Sequence, residues 1–191
     1  HGVCSTTMKS VRFGPPCPNG ALRPAAMREA TAQAHKATTP MPSVDWYFDF
    51  ISPFAYLQSE QLALLGSSAR VRYRPVLFAG LLEAHGQKGP AEIARKRVFT
   101  YRFLVWEARR LGLAFKMPPE HPFNPLPLLR LAIACNSAPE AVHRIFRFVW
   151  RDGRLPDLPI EWAELAGALG MPDADRRIAA PEVKDELRRN T

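Results

Sequence analysis

The sequence predicts an α/β fold in which a small parallel sheet carries a large helical segment. Residues 44–50 and 71–78 are rich in aromatic and β-branched side chains, which is typical of strands, and a helical pattern lies between them. Beyond residue 80, four stretches have a helical pattern, at residues 91–111, 125–135, 139–150 and 159–169. One strand–helix–strand unit followed only by helices indicates a small sheet with an all-helical addition.

The first strand and helix meet at a Ser-Pro pair. Ser52 is a favoured N-cap residue, because its hydroxyl can accept a backbone N–H bond, and Pro53 has the fixed φ that suits a first helical position. We expect the helix to run on to residue 65 and to end at Gly66. The strand order with short connections then predicts that the two strands pair in parallel.

The helical segment shows a pattern of its own, because its last three helices each open with proline. In the helix predicted before those three, at residues 91–111, one face is predicted to comprise Ile93, Arg97, Tyr101, Val105 and Ala108. Four large aromatic residues are expected in the core: Trp46, Tyr47, Trp106 and Trp150.

The predicted domain organisation follows from a sharp change in composition and periodicity at residue 40. Residues 1–40 contain five prolines and show no sustained period, so we expect a disordered or artefactual extension, with Met41 as the natural start. Residues 41–79 then form the βαβ portion and residues 80–191 the helical insertion domain.

Charge and cysteine content narrow the classes of function. The net charge is +8, of which half lies in residues 1–40, so the main body is only mildly basic. Its basic residues are more typical of a solvated helix face than of a nucleic-acid site, and small anionic substrates fit the same charges equally well. The three cysteines form no CxxC pair and no metal-ligand spacing, which favours a reducing, cytoplasmic setting without a bound metal. The apolar runs are far shorter than the roughly 20 residues that cross a bilayer, so no membrane partner is expected.

Ser52 is the candidate for chemistry. It lies where a buried parallel strand meets a helix N-terminus, a place where ligands bind in open α/β sheets and where backbone N–H groups favour an anion. With its hydroxyl as an added donor, this position would lower the pKa of a bound thiol and raise the nucleophilic fraction. The simpler alternative is that Ser52 only caps the helix.

A family resemblance gives this turn its context. The segment WYFDFISPFAYL fits a D-F-x-S-P-x-x-Y-L pattern through Asp49, Phe50, Ser52, Pro53, Tyr56 and Leu57. It resembles the start of the 2-hydroxychromene-2-carboxylate isomerase family, whose members have a DsbA-like thioredoxin fold related to kappa-class glutathione transferases. DsbA-type oxidoreductases carry CxxC at this turn, whereas this chain has Ser52 and Ala55, which excludes dithiol chemistry there.

Two further segments carry the resemblance, at residues 86–90 and 121–125. In such proteins these loops border the active cleft, which implies that Lys88, Glu92 and Asn124 contact glutathione or the substrate, while Ser52, Pro53 and Phe54 hold the cofactor. Each loop residue also has a structural alternative: a solvated lysine, a first-turn helix charge and a turn-forming cap. His85 and His121 are expected to be loop residues without a catalytic duty.

The resemblance implies a thioredoxin-like fold, of the DsbA and kappa-transferase type, whose sheet is incomplete because the chain ends early. It implies a homodimeric, glutathione-dependent isomerase that acts on a small aromatic acid by thiolate addition, bond rotation and elimination. Two alternatives remain open from the sequence: a kappa-type glutathione transferase, and a non-catalytic, truncated thioredoxin-like binding protein.

Overall fold

Two short strands form the sheet of the protein. A computed structural model describes residues 41–66 and 68–191, and the extension predicted at residues 1–40 lies outside them. Strand β1, Ser43–Phe48, pairs in parallel with β2, Arg70–Pro75, with Val44 opposite Val71. The parallel pairing predicted from the strand–helix–strand order is therefore confirmed.

Alternation along β1 separates a covered face of the sheet from an open one. Trp46 and Phe48 are buried, whereas Tyr47 between them is 58% exposed. The prediction that Tyr47 belongs to the core is wrong, because an odd number of steps along a strand turns its ring to the open face. On the exposed surface, Asp45 accepts hydrogen bonds from Arg72 and Arg74, and these bonds lower the pKa of its carboxyl group.

The helix after β1 begins where the sequence predicted. Helix α1 spans Pro53–Ser59, with Ser52 as its N-cap. It is shorter than expected, because the chain leaves the α-helix after residue 59 and forms a 3₁₀ turn at Leu62–Leu65. Gly66 then ends this stretch with a positive φ of 51°, a conformation that glycine adopts at little cost.

Helices make up most of the rest of the chain. The long helix α3, Ala94–Arg110, follows a 3₁₀ turn at Pro90–Glu92, and α5, Pro139–Phe146, continues into a π-helical turn at Arg147–Arg151. The other helices are α2 Phe78–Ala84, α4 Leu126–Ala134, α6 Pro159–Ala168, α7 Ala174–Ala179 and α8 Pro181–Asn190. The four predicted helices are present, and α2 and α7 were not predicted. The division at residue 79 stays a prediction.

The core forms where the covered face of β1 meets α5. Phe50 and Phe146 are fully buried with ring centroids 4.6 Å apart, and Trp150 is fully buried beside them. Helix α3 contacts the core through Leu104 and Ala108, so the predicted face is only partly right. Trp106 is 56% exposed, which corrects its predicted place in the core.

The observed architecture is an α/β fold with a two-stranded sheet and a large helical part, as the sequence predicted. Over residues 41–66 and 68–191, no helix is both long and apolar enough to pass through a lipid bilayer.

Candidate active site

The turn between β1 and α1 presents Ser52 at the carboxyl end of a strand. Ser52 is half-buried, and its extended backbone (φ −90°, ψ 110°) turns its side chain back over the first turn of α1. Its Oγ accepts a hydrogen bond from the Ala55 N–H at 3.3 Å. Because the hydroxyl acts as an acceptor there, its own proton remains available to donate to a ligand.

A buried carboxylate holds one side of this turn. Asp49 accepts hydrogen bonds from the Ile51 N–H at 3.0 Å and from the Phe78 N–H at 2.8 Å. Its side chain thus ties the turn before α1 to the first residue of α2. Burial raises the pKa of Asp49 to about 6, although these two backbone bonds favour the ionised form.

A histidine holds the other side of the turn. His121 Nε2 lies 2.8 Å from the Ile51 carbonyl oxygen, and Nδ1 lies 2.7 Å from the Tyr101 hydroxyl. A carbonyl oxygen can only accept, so Nε2 carries the proton and Nδ1 accepts from Tyr101. Burial lowers the pKa of His121, which favours this neutral ring. The peptide bond between His121 and Pro122 is cis.

Two of the three predicted loop residues make local hydrogen bonds, and the third is exposed. Glu92 accepts a hydrogen bond from the Gly89 N–H at 2.7 Å, and Asn124 accepts one from the Leu126 N–H at 3.1 Å. These are the capping contacts of the structural alternative. Lys88 lies exposed in the loop after α2. Within the part of the chain that the structure describes, no hydrogen bond or ion pair joins any of the three to Ser52.

Exposed aromatic rings begin beside Ser52 and continue along α3. Pro53 is buried, while Phe54 is 46% exposed and lies 6.1 Å from the ring of Phe103. Phe103 in turn lies 5.6 Å from Trp106 between ring centroids. Helical spacing places these α3 residues on one side, so the row offers an apolar surface close to the turn.

Two cavities formed by the described residues lie away from Ser52. One of about 830 Å³ is bounded by α4, α7 and α8, and its lining includes Asn136, Arg177 and Glu186. Another of about 500 Å³ is lined by residues such as His143 and Arg154. Neither lining includes Ser52. Across residues 41–66 and 68–191, no three His, Cys, Asp or Glu side chains form a metal-binding group.

Comparison with known proteins identifies the family. A model of the DSBA-like thioredoxin domain matches residues 43–191, which include every strand and helix described above. The chain belongs to this family. The family resemblance predicted from the D-F-x-S-P-x-x-Y-L pattern is therefore confirmed.

Three curated proteins are similar in sequence to this chain. The chain is 30% and 32% identical, over 122 and 123 residues, to the 2-hydroxychromene-2-carboxylate isomerases of Pseudomonas sp. (strain C18) and Pseudomonas putida. Each match covers 60% of this chain, and the chain spans only 57% and 59% of the two relatives. Human glutathione S-transferase kappa 1 is 25% identical over 173 residues, which are 80% of this chain and 75% of that protein.

A solved structure agrees with the fold. The structure of a 2-hydroxychromene-2-carboxylate isomerase superposes with a TM-score of 0.66 at 23% sequence identity, covering 78% of this chain and 77% of the other. At that identity the likeness supports the thioredoxin-like fold alone.

Proposed function

We propose that the chain is the Ser52-bearing part of a glutathione-dependent isomerase that acts on acids of the 2-hydroxychromene-2-carboxylate type. The observation that carries the proposal is the position of Ser52 at the N-terminus of α1. In a DsbA-like family, it stands at the turn where dithiol enzymes have a cysteine, and its hydroxyl proton is free to donate. The two bacterial isomerases among the relatives supply the reaction class.

The residues at the turn fit the sulfur end of glutathione. Bound glutathione would supply a thiolate that forms a C–S bond to the conjugated carbon of the substrate, allows rotation about the resulting single bond, and leaves as the double bond re-forms. Ser52 would donate its hydroxyl proton in a hydrogen bond to the sulfur, which favours the charged form and lowers the thiol pKa. Pro53 begins the helix directly after Ser52, because its fixed φ suits the first helical position.

The other predicted contacts complete the proposal. Phe54, with Phe103 behind it, would give the aromatic part of the substrate an apolar surface. Lys88 is exposed and can swing toward a carboxylate, because a solvated lysine has four rotatable bonds. Glu92 and Asn124 would shape the adjoining loops through their capping bonds while contacting glutathione or the substrate.

A kappa-type transferase is the second candidate, favoured by the match to human glutathione S-transferase kappa 1 over 80% of this chain. The same sulfur site would then form a C–S bond that stays in the product, and with an aryl halide the halide ion leaves as this bond forms. Two substrates separate the candidates: an o-hydroxybenzylidenepyruvate-type acid for isomerisation and an aryl halide for conjugation.

The test is turnover of both substrates by the chain, by Ser52→Ala and by Ser43→Ala. Ser43 is an exposed serine at the start of β1 and serves as the matched control. Isomerisation that Ser52→Ala lowers at least tenfold and Ser43→Ala leaves unchanged supports the proposal. Conjugation alone supports the transferase, and no turnover with no glutathione binding supports a non-catalytic binding protein.

The proposed assembly and setting follow the same inference. We infer a homodimer in a reducing, cytoplasmic compartment, with glutathione and a small aromatic acid as ligands. Sedimentation of the purified chain over a concentration series tests the dimer, because a monomer at every concentration would contradict it.

A further inference from the structure

The peptide unit that joins Ile51 to Ser52 is hydrogen-bonded at both ends. Its carbonyl oxygen, on Ile51, lies 2.8 Å from His121 Nε2, and its N–H, on Ser52, donates to the Asp49 carbonyl at 3.1 Å. A peptide unit is planar, so two bonds on opposite edges fix the orientation of the plane. That orientation, together with the φ of −90° at Ser52, determines where the Cα–Cβ bond of Ser52 points.

The histidine bond comes from a distant part of the chain. His121 lies 70 residues from Ile51 and belongs to the loop between α3 and α4. The partner bond within the turn is local, from Ser52 back to Asp49. Among the hydrogen bonds of residues 41–66 and 68–191, the one from His121 is therefore the only one that joins this peptide plane to the helical segment, and it comes from a half-buried ring.

Tyr101 determines which ring nitrogen of His121 faces the turn as a donor. Its hydroxyl lies 2.7 Å from Nδ1 and 3.3 Å from the His121 carbonyl oxygen, and its single proton goes to Nδ1, the nearer acceptor. A hydroxyl that donates to Nδ1 keeps the ring proton on Nε2, where the Ile51 carbonyl needs it. The result is a chain of hydrogen bonds from Tyr101 on α3 through His121 to the residue before Ser52.

We propose that His121, oriented by Tyr101, is a positioning residue for Ser52. Its bond to the Ile51 carbonyl holds the peptide plane so that the side chain at position 52 reaches the Ala55 N–H and faces the thiol sulfur. This inference rests on the proposed role of Ser52 in thiolate stabilisation. It assigns His121 no contact with substrate or glutathione.

The position can be tested without glutathione by placing a thiol on the turn. In a chain whose three native cysteines are replaced by serine, Ser52→Cys provides a reporter whose thiolate can accept the Ala55 N–H as the hydroxyl does now. A hydrogen bond to the charged form holds its pKa below the ordinary value of about 8.5. The pH dependence of alkylation by iodoacetamide measures that pKa.

Three variants of the reporter chain are then compared. His121→Leu and Tyr101→Phe are expected to raise the reporter pKa by about half a unit, a roughly threefold loss of thiolate at neutral pH. His121→Gln, whose amide can still donate to the Ile51 carbonyl, is expected to keep the parent value. The matched controls are Tyr47→Phe and His85→Leu, which alter exposed residues of the same types.

A reporter pKa that is unchanged in Tyr101→Phe and in folded His121→Leu would overturn the proposal. An equal rise of the reporter pKa in His121→Gln and His121→Leu would also overturn it. Tyr101→Phe removes one hydroxyl, so it carries the test if His121→Leu does not fold. A chain that shifts the reporter as expected but neither binds nor turns over glutathione refutes the proposed function and leaves the positioning intact.

Discussion

Replacing Asp49 by asparagine is expected to change how the stability of the protein depends on pH. The Asp49 side chain is only 3% exposed, and burial raises its pKa from 3.8 to about 6. A carboxyl group whose folded pKa is raised contributes stability fully below its unfolded pKa. That contribution is lost as the pH rises through the folded pKa.

The magnitude follows from the size of the shift. About two pKa units correspond to about 3 kcal/mol, since one unit is worth about 1.4 kcal/mol. The free energy of unfolding of the parent, minus that of Asp49→Asn, should therefore fall by about 3 kcal/mol between roughly pH 3.5 and pH 7. The fall should be concentrated between pH 4 and 6.

Urea unfolding of both proteins at half-unit steps of pH measures this difference. Carboxylates shared by the two proteins cancel in the subtraction. Asp45→Asn provides the matched control, because hydrogen bonds from Arg74 and Arg72 lower the pKa of half-buried Asp45 and its pH dependence has the opposite sign. A parent-minus-variant difference that stays flat, or that rises with pH, would refute the account of a buried carboxylate at this turn.

Two other substitutions probe the support of the fold. Trp150→Phe leaves the buried Phe50 carbonyl without its 2.8 Å donor, so the free energy of unfolding measured in urea should fall by about 1–3 kcal/mol. Trp106→Phe changes an exposed residue and should lower it by less than about 0.5 kcal/mol. Equal losses would contradict the difference in burial. Gly153 and Gly112 have nearly the same positive φ, 67° and 66°, but a Cβ added at Gly153 would lie 2.6 Å from a Lys116 side-chain carbon, whereas the space at Gly112 is open. The thermal midpoint of Gly153→Ala should therefore fall further than that of Gly112→Ala. A smaller fall for Gly153→Ala would be the contrary result.

Local chemistry made part of the structure predictable from the sequence. The Ser-Pro pair predicted the start of α1 because an N-cap and a first-turn proline act within four residues of each other. The proline-opened helices were predicted for the same reason. Helix α2 was missed because its first N–H is bonded by Asp49, which lies 29 residues earlier in the chain.

Tertiary contacts explain what the sequence pattern did not show about the candidate site. The His-Pro-Phe-Asn-Pro segment marked a loop near the turn, but its histidine bonds Ile51 across 70 residues, which no local spacing reveals. Trp106 was predicted to lie in the core because it is a large aromatic residue, but residue type alone does not say which side of α3 faces protein. The roles of Lys88, Glu92 and Asn124 stay predictions.

The most direct test of the central claim is calorimetric titration of glutathione into the chain at several pH values, which measures both affinity and the thiol pKa of the bound ligand. The same titration is run on Ser52→Ala and on Ser52→Asp, which keeps the capping acceptor but places a negative charge beside the sulfur. The account predicts that the parent binds glutathione and holds the thiol pKa below its free value. In Ser52→Ala the thiol pKa of the bound ligand should be higher than in the parent, and Ser52→Asp should bind glutathione more weakly than either protein. Equal affinity and an equal thiol pKa in all three proteins would contradict a role for Ser52 in holding the thiolate.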